Sequence, residues 1–283
     1  MQDTFNREEF DRLAGELRYV MTDMICRAGS GHLGGALSLV EIVTTLYWRV
    51  LNIDPKNPKW EDRDRVILSK GHGGPVLYTA LAYRGYFPKA MLSSLNADGT
   101  NLPSHVDRIR TPGIDMTAGS LGQGLSAACG IALAARLDGR SHKVFCIIGD
   151  GESDEGQIWE AAMFAGHRKL DNLIAICDYN KLQIDGFTDD VLTLEPLADK
   201  WRAFNWEVLE MDGHDWDDIY ATLNKAKQLQ GKPVMILAHT IKAKDCSLLE
   251  NKPESHNIKV DNAEAHQKYM ESLKRTDYCL PYK

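Results

Sequence analysis

Asp150 ends the apolar run KVFCIIGD, and Asn180 follows a second such run, LIAICDYN, thirty residues further on. A carboxylate and an amide oxygen are hard ligands of the kind Mg2+ takes when it also holds phosphates. In GDGE (Gly149–Glu152) the glycines let backbone N–H groups approach a phosphate, and the helix start behind them favours an anion. GDG alone is more simply a glycine turn with an exposed Asp. The Asn180 partner and a second glycine turn at Gly186 give weight to the cation and phosphate reading. Lys143–Gly149 and Leu173–Asp178 read as short buried strands. The helical stretch between them suits a right-handed crossover, so the two strand ends lie side by side in a parallel sheet. Asp150 and Asn180 then meet at the carboxyl edge, where α/β sheets bind ligands.

Four histidines follow turn signals: His32 in SGHLGG, His72 in KGHGG, His105 in LPSHVDR and His256 in PESHN. Neutral imidazoles in such turns can hydrogen-bond phosphate or sugar hydroxyls. His142, His167, His214, His239 and His266 have no such context and read as structural or solvent-exposed. No HExxH-type spacing supports a histidine metal site. GSGHLG (Gly29–Gly34) matches GxGxxG, but YVMTDMICRA before it has helical spacing, and a dinucleotide fingerprint needs a strand there. GSLGQG (Gly119–Gly124) precedes a buried helix, Leu125–Leu137; a packing turn accounts for it equally well.

The rest of the chain supplies the scaffold. Residues up to about 50 read as helical, interrupted by AGSGHLGG. Arg65–Ser69 reads as a strand; Tyr78–Arg84 and the segment after Pro88 read as helices. The irregular stretch Asn96–Asp115 is long enough to suggest a functional loop. A helix over IWEAAMFAGHRK, another near Leu197–Phe204 and strands at Trp206–Met211 and Val234–His239 complete the pattern. Strands alternating with helices predict an α/β fold with a doubly wound, mostly parallel sheet flanked by helices. With 283 residues and no linker or repeat, the expectation is one domain over 1–283, of which 261–283 is a polar, helical tail. A net charge of −7 without a Lys/Arg run argues against nucleic acid. The six cysteines form no CxxC, and Cys146 and Cys177 fall in buried strands, which suits a reducing cytoplasm. No basic and then apolar leader opens the chain, and its longest apolar stretch is too short to span a bilayer.

The series GSGHLGGALS, LSKGHGGPVLY, TPGIDMTAGSLGQGLS, GDGESDEGQIWEA and DYNKLQIDG resembles the N-terminal part of transketolase, most of all the form divided over two chains. The resemblance runs from about residue 10 to about residue 260, with every motif in order. It implies a thiamine diphosphate-binding fold of the diphosphate-binding type. It also implies Mg2+ on Asp150, Asn180 and the Leu182 carbonyl; His72, Gly119 and Gly151 at the diphosphate; and Leu121 and Ile184 against the thiamine rings. His32 and His105 would face substrate hydroxyls, and His256 would lie near both diphosphate and substrate. Glu155 and Glu160 match acidic residues that link the two active sites of the family's dimer, Glu155 being counted among the cofactor-binding residues. SHN at His256 departs from the family, which usually has glycine after that histidine.

The implied reaction breaks the C3–C4 bond of a ketose, a sugar phosphate in the family, and passes the two-carbon ketol unit to an aldose. The glutamate that activates the cofactor lies, in the family, on a pyrimidine-binding domain outside the matched part. A C-terminal, pyrimidine-binding partner subunit in an α2β2 assembly is therefore expected. Three other readings stay open: a transketolase-like enzyme for a branched or sulfonated ketose, another thiamine diphosphate enzyme such as a deoxyxylulose-phosphate synthase type, and a non-catalytic subunit that retains the fold.

Overall fold

A computed structural model of the protein describes residues 6–282. In chain order the elements are α1 (Arg7–Arg27), β1 (Ser30–Gly31), α2 (Gly34–Leu37), α3 (Val40–Thr45), β2 (Arg65–Leu68), α4 (Gly74–Arg84), α5 (Gln123–Leu137), β3 (Val144–Gly149), α6 (Gly156–Arg168), β4 (Leu173–Tyr179), α7 (Thr188–Val191), α8 (Leu197–Ala203), β5 (Glu207–Asp212), α9 (Trp216–Gln228), β6 (Val234–His239), β7 (Ile258–Lys259) and α10 (Ala263–Glu271). Five strands form a wholly parallel sheet in the order β2-β3-β4-β6-β5.

The central strands are buried on both faces, which is why they read as continuous apolar runs. Their alternate residues face two cores. Phe145, Ile147, Ile174, Ile176, Val234 and Ile236 pack toward α1, α3, α4 and α9. Cys146, Ile148, Ala175, Cys177, Met235 and Leu237 pack toward α5, α6 and α8. The first of these layers begins with α1, which Asn6 caps by accepting the Glu9 N–H. Phe10, Ala14, Leu17, Met21 and Met24 fall at helical spacing on its buried face. β3 and β4 are neighbours joined through α6, with Gly149 opposite Asp178. Asp150 and Asn180 therefore leave adjacent strand ends, as the crossover argument requires.

Several expectations need correcting. α5 is buried on one side only: Leu125, Ala128, Cys129 and Ala132 pack on the sheet, whereas Leu137 is 79% exposed. Its small, apolar composition masked an outer face that nothing among the described residues covers. After Pro88 the chain forms a 3-10 turn, Lys89–Ser94, and the helical reading before residue 50 ends in a π turn at Leu46–Val50. α9, between the last two long strands, is a helix the sequence reading did not name; Asp215 caps it by accepting from Asp217 and Asp218 N–H. The pairing of β1 with β7 was also missed. It joins the residues just before His32 to those just after His256.

Candidate active site

The carboxyl ends of β2, β3, β4 and β6 open onto one cavity of about 270 Å3. His32, His72, His105 and His256 all line it, as do Gly119, Leu121, Asp150, Gly151, Asn180, Leu182 and Ile184. Four separate turns thus deliver their imidazoles to one place. His32 is central, with ring centroids 5.3 Å from His72, 5.5 Å from His105 and 5.3 Å from His256. His72 and His256 lie 5.0 Å apart. SHN in place of the family's glycine after the histidine leaves His256 within this group.

Burial decides the charge of these rings. It pulls His32 down to about 4, with His105 adding to the effect, and His256 down to about 3, with Lys242 next in importance. His72 is lowered further, by burial and then by Lys70. All three are neutral near pH 7 and present one donor and one acceptor each. His32 Nδ1 is buried and has no partner among the described residues.

The Asp150 carboxylate accepts the Gly151 N–H at 2.8 Å and the Lys181 N–H at 2.6 Å. Burial and the nearby Asp178 nevertheless hold Asp150 up at about 7. A cation beside it would reverse that balance. Asn180 Oδ1 accepts the Leu182 N–H at 3.1 Å. The Leu182 carbonyl receives the Lys242 ammonium at 3.0 Å, so a positive charge already stands on one of the three expected ligand oxygens. Among the described residues no group of three or more His, Cys, Asp or Glu is arranged to hold a metal. Two side chains and a carbonyl would leave the remaining positions to phosphate oxygens and water, as Mg2+ usually does. The cavity wall is open at Gly35, where a Cβ would come within 3.1 Å of Lys70 Nζ and 3.4 Å of His72 Nε2. The residues present therefore fit a diphosphate with its cation.

Sequence reasoning missed Lys70, Lys242, Glu152 and Asp178. Lys70 and Asp178 form a buried ion pair, and Asp178 also accepts from Ser38 Oγ at 2.6 Å and from Thr240 Oγ1. Burial lowers Lys242 to about 8, Lys70 adding to the effect. Glu152 ties three turns together through Gly122, Gly149 and Ser69. The cue for all four was position: each lies within a few residues of a strand's carboxyl end. Glu155 and Glu160 stand apart. Both are exposed, Glu155 just before α6 and Glu160 within it, and neither lines the cavity; Glu155 lies instead beside Gly122.

The family model described as "Transketolase, thiamine diphosphate binding domain" matches residues 10–273. The chain is 58% identical over 247 residues to the 6-deoxy-6-sulfo-D-fructose transketolase subunit SqwG of a Clostridium species, covering 87% of this chain and 90% of that protein. It is 45% identical to an apulose-4-phosphate transketolase subunit of Actinobacillus succinogenes, covering 86% and 88% of the two. The crystal structure of transketolase from Campylobacter jejuni superposes with a TM-score of 0.88 at 34% identity, covering 94% of this chain and 43% of that one. The chain thus spans under half the length of the solved transketolases and nearly the whole length of the relatives named as subunits. It belongs to the transketolase family, as an enzyme subunit built on that family's thiamine diphosphate-binding domain.

Proposed function

We propose that the chain binds thiamine diphosphate with Mg2+ and transfers a two-carbon ketol unit from a ketose to an aldose in concert with a partner subunit. The observation that carries this reading is the meeting of Asp150, Asn180 and the Leu182 carbonyl with four imidazoles and two lysines in one cavity. Asp150, Asn180 and Leu182 would hold the cation. His72, Gly119 and Gly151 would take the diphosphate, and Leu121 and Ile184 would flank the rings. When bound, the cofactor supplies the nucleophilic carbon and the electron sink for C–C cleavage. His32, His105 and His256 bind and orient the sugar hydroxyls. As neutral rings, His32 and His256 can each donate a hydrogen bond to, or accept one from, a substrate hydroxyl. His32 Nδ1, unpaired among the described residues, is free to do so.

A partner is part of the proposal. Ile184 at the cavity mouth is 62% exposed, and Leu192, Met163 and Phe187 are 58%, 58% and 43% exposed. Exposed apolar side chains at the cavity mouth and elsewhere on the surface suit cover by a second chain. A pyrimidine-binding subunit in an α2β2 assembly would provide that cover and the activating glutamate. The core on both faces of one sheet supports the single domain expected over the chain, 261–283 included as its tail. Among the described residues no helix is long and apolar enough to cross a membrane. Five of the six cysteines are buried and all are free, which supports a cytoplasmic setting.

For the donor, the 58% identity to a subunit named for 6-deoxy-6-sulfo-D-fructose, against 45% for one named for apulose-4-phosphate, favours a sulfonated ketose. The test is ketol transfer by the chain co-purified with its partner, using the sulfonated ketose and pentose phosphates side by side. Turnover that requires the partner, thiamine diphosphate and Mg2+ is expected. Full turnover by the single chain would overturn the partner requirement. Pyruvate consumption with CO2 release would move the chain to another thiamine chemistry. A cofactor-free, inactive complex would leave a non-catalytic subunit.

A further inference from the structure

The turn after β6 contains two non-glycine residues in left-handed backbone, Ala243 with φ 58° and Asp245 with φ 63°. Residues with a Cβ keep that conformation only where their surroundings enforce it. Lys242, which lines the cavity, immediately precedes them. The groups that enforce the turn lie outside the cavity. His214 Nε2 accepts the Ile241 N–H at 2.8 Å, so the ring proton sits on Nδ1, which faces Glu41 at 3.1 Å. The other Glu41 oxygen accepts from Arg18 at 2.6 Å, and Arg18 Nε donates to the Lys244 carbonyl at 3.3 Å. Arg18 also lies 3.7 Å from the Asp245 carboxylate. The relay thus grips the turn on both sides of Lys242 and Ala243. Between the two grips, the Ala243 N–H donates to the Gly34 carbonyl at 3.0 Å, which ties the turn to the His32 loop.

We propose that Arg18, Glu41 and His214 are positioning residues that hold the 241–245 turn in its left-handed form and thereby aim Lys242 at the anionic group bound in the cavity. The inference rests on the cofactor reading given above. Burial supports it: Arg18 is 3% and Glu41 6% exposed, and no part of the relay reaches the cavity. Buried ion pairs add little stability over apolar packing of the same shape. What this one supplies is direction, since each of its outer contacts ends on the backbone or side chain of the one turn. Glu41 is held at about 2: burial opposes its ionisation, but Arg18 and His214 together outweigh burial. Glu41 therefore stays ionised and keeps its ion pair with Arg18 near neutral pH.

The test uses the full chain with its partner, as wild type, His214→Ala and His214→Gln. His214→Ala frees the Ile241 N–H and leaves the Arg18–Glu41 pair in place; His214→Gln offers an acceptor and a donor again. Amide hydrogen exchange without cofactor reads the turn directly. Exchange over residues 240–247 should rise at least about ten-fold in His214→Ala, with the rest of the chain unchanged, and fall back in His214→Gln. Thiamine diphosphate affinity in Mg2+, by calorimetry, should weaken about ten- to hundred-fold in His214→Ala and recover in part in His214→Gln. Unchanged exchange at 240–247, or a rise spread evenly over the chain, would overturn the clamp. Local opening with wild-type cofactor affinity would overturn the aiming of Lys242. A wild type that binds no thiamine diphosphate would overturn the cofactor reading, and the exchange result would still decide the clamp.

Discussion

Glu152 accepts the Gly122 N–H at 2.8 Å, which joins the GDGE turn to the GSLGQG turn. Its other oxygen accepts the Gly149 N–H at 3.0 Å, and Ser69 Oγ donates to the same carboxylate. Burial raises Glu152, and these three donors oppose that rise. One side chain that is 2% exposed thus sets the spacing of three cavity walls. Glu152→Ala leaves buried donors unpaired and should cost about 3 kcal/mol in urea unfolding. Glu152→Gln, which keeps one acceptor oxygen, should cost about half of that. Equal stability of Glu152→Ala and wild type would contradict this account.

Asp150 is buried at 3% exposure, and burial followed by Asp178 holds it up at about 7 in the chain without a cation. Asp150→Asn keeps an acceptor for Gly151 or Lys181 but removes the charge a cation needs. The chain should therefore stay at least as stable as wild type while thiamine diphosphate and Mg2+ affinity falls by more than about a hundred-fold, a loss of roughly 2.7 kcal/mol or more. Chelation with EDTA should strip cofactor from wild type to the same degree. Retained cofactor in either case would remove Asp150 from the cation site.

The strands and the Asp150–Asn180 pairing were legible because burial on both faces writes an apolar run directly into sequence, and a crossover helix makes consecutive strands neighbours. From spacing alone the four histidines were legible only as four separate turns; the resemblance to transketolase is what assigned them to one site. The pairing of β1 with β7, which brings the His32 and His256 segments together, is a ladder of two residues per strand between distant segments, too short for any periodic signal. Lys242 was illegible for a related reason. TIKAKD shows only scattered charge, and the left-handed turn that aims Lys242 is enforced by Arg18, Glu41 and His214 from remote parts of the chain. His214 itself stands in a DGHD sequence that looks like an ordinary loop.

The neutral histidines give a pH signature. His32 and His256 are lowered by burial to about 4 and about 3, so their ring resonances in NMR should keep neutral shifts from pH 8 down to about 5. Unfolded histidine titrates near 6.5, so below that pH the unfolded chain binds protons that the folded rings refuse. Stability contributed through these rings is therefore lost as pH falls from about 6.5 toward the folded values. Asp150 acts in the opposite sense, its penalty building as pH rises from about 4 to about 7. His256→Asn should accordingly flatten the stability slope between pH 6 and 5 by about 1 kcal/mol per pH unit. A His256 resonance titrating near 6.5 in the folded chain would defeat the prediction.

The outer face of α6 bears on assembly. Met163 is 58% and Phe164 39% exposed, on the same helix that carries Glu160. Neither side chain contributes to the two cores, so their replacement should change folding stability by no more than about 0.5 kcal/mol. A charge placed among apolar side chains that a partner covers must be desolvated without a counter-charge. Met163→Asp should therefore weaken capture of the partner subunit at least ten-fold, about 1.4 kcal/mol, when complex mass is followed by light scattering against concentration. Ketol transfer should fall in the same dilution range and recover at high concentration, because the cavity itself is untouched. A complex of unchanged mass and affinity would place the partner on another face of the chain.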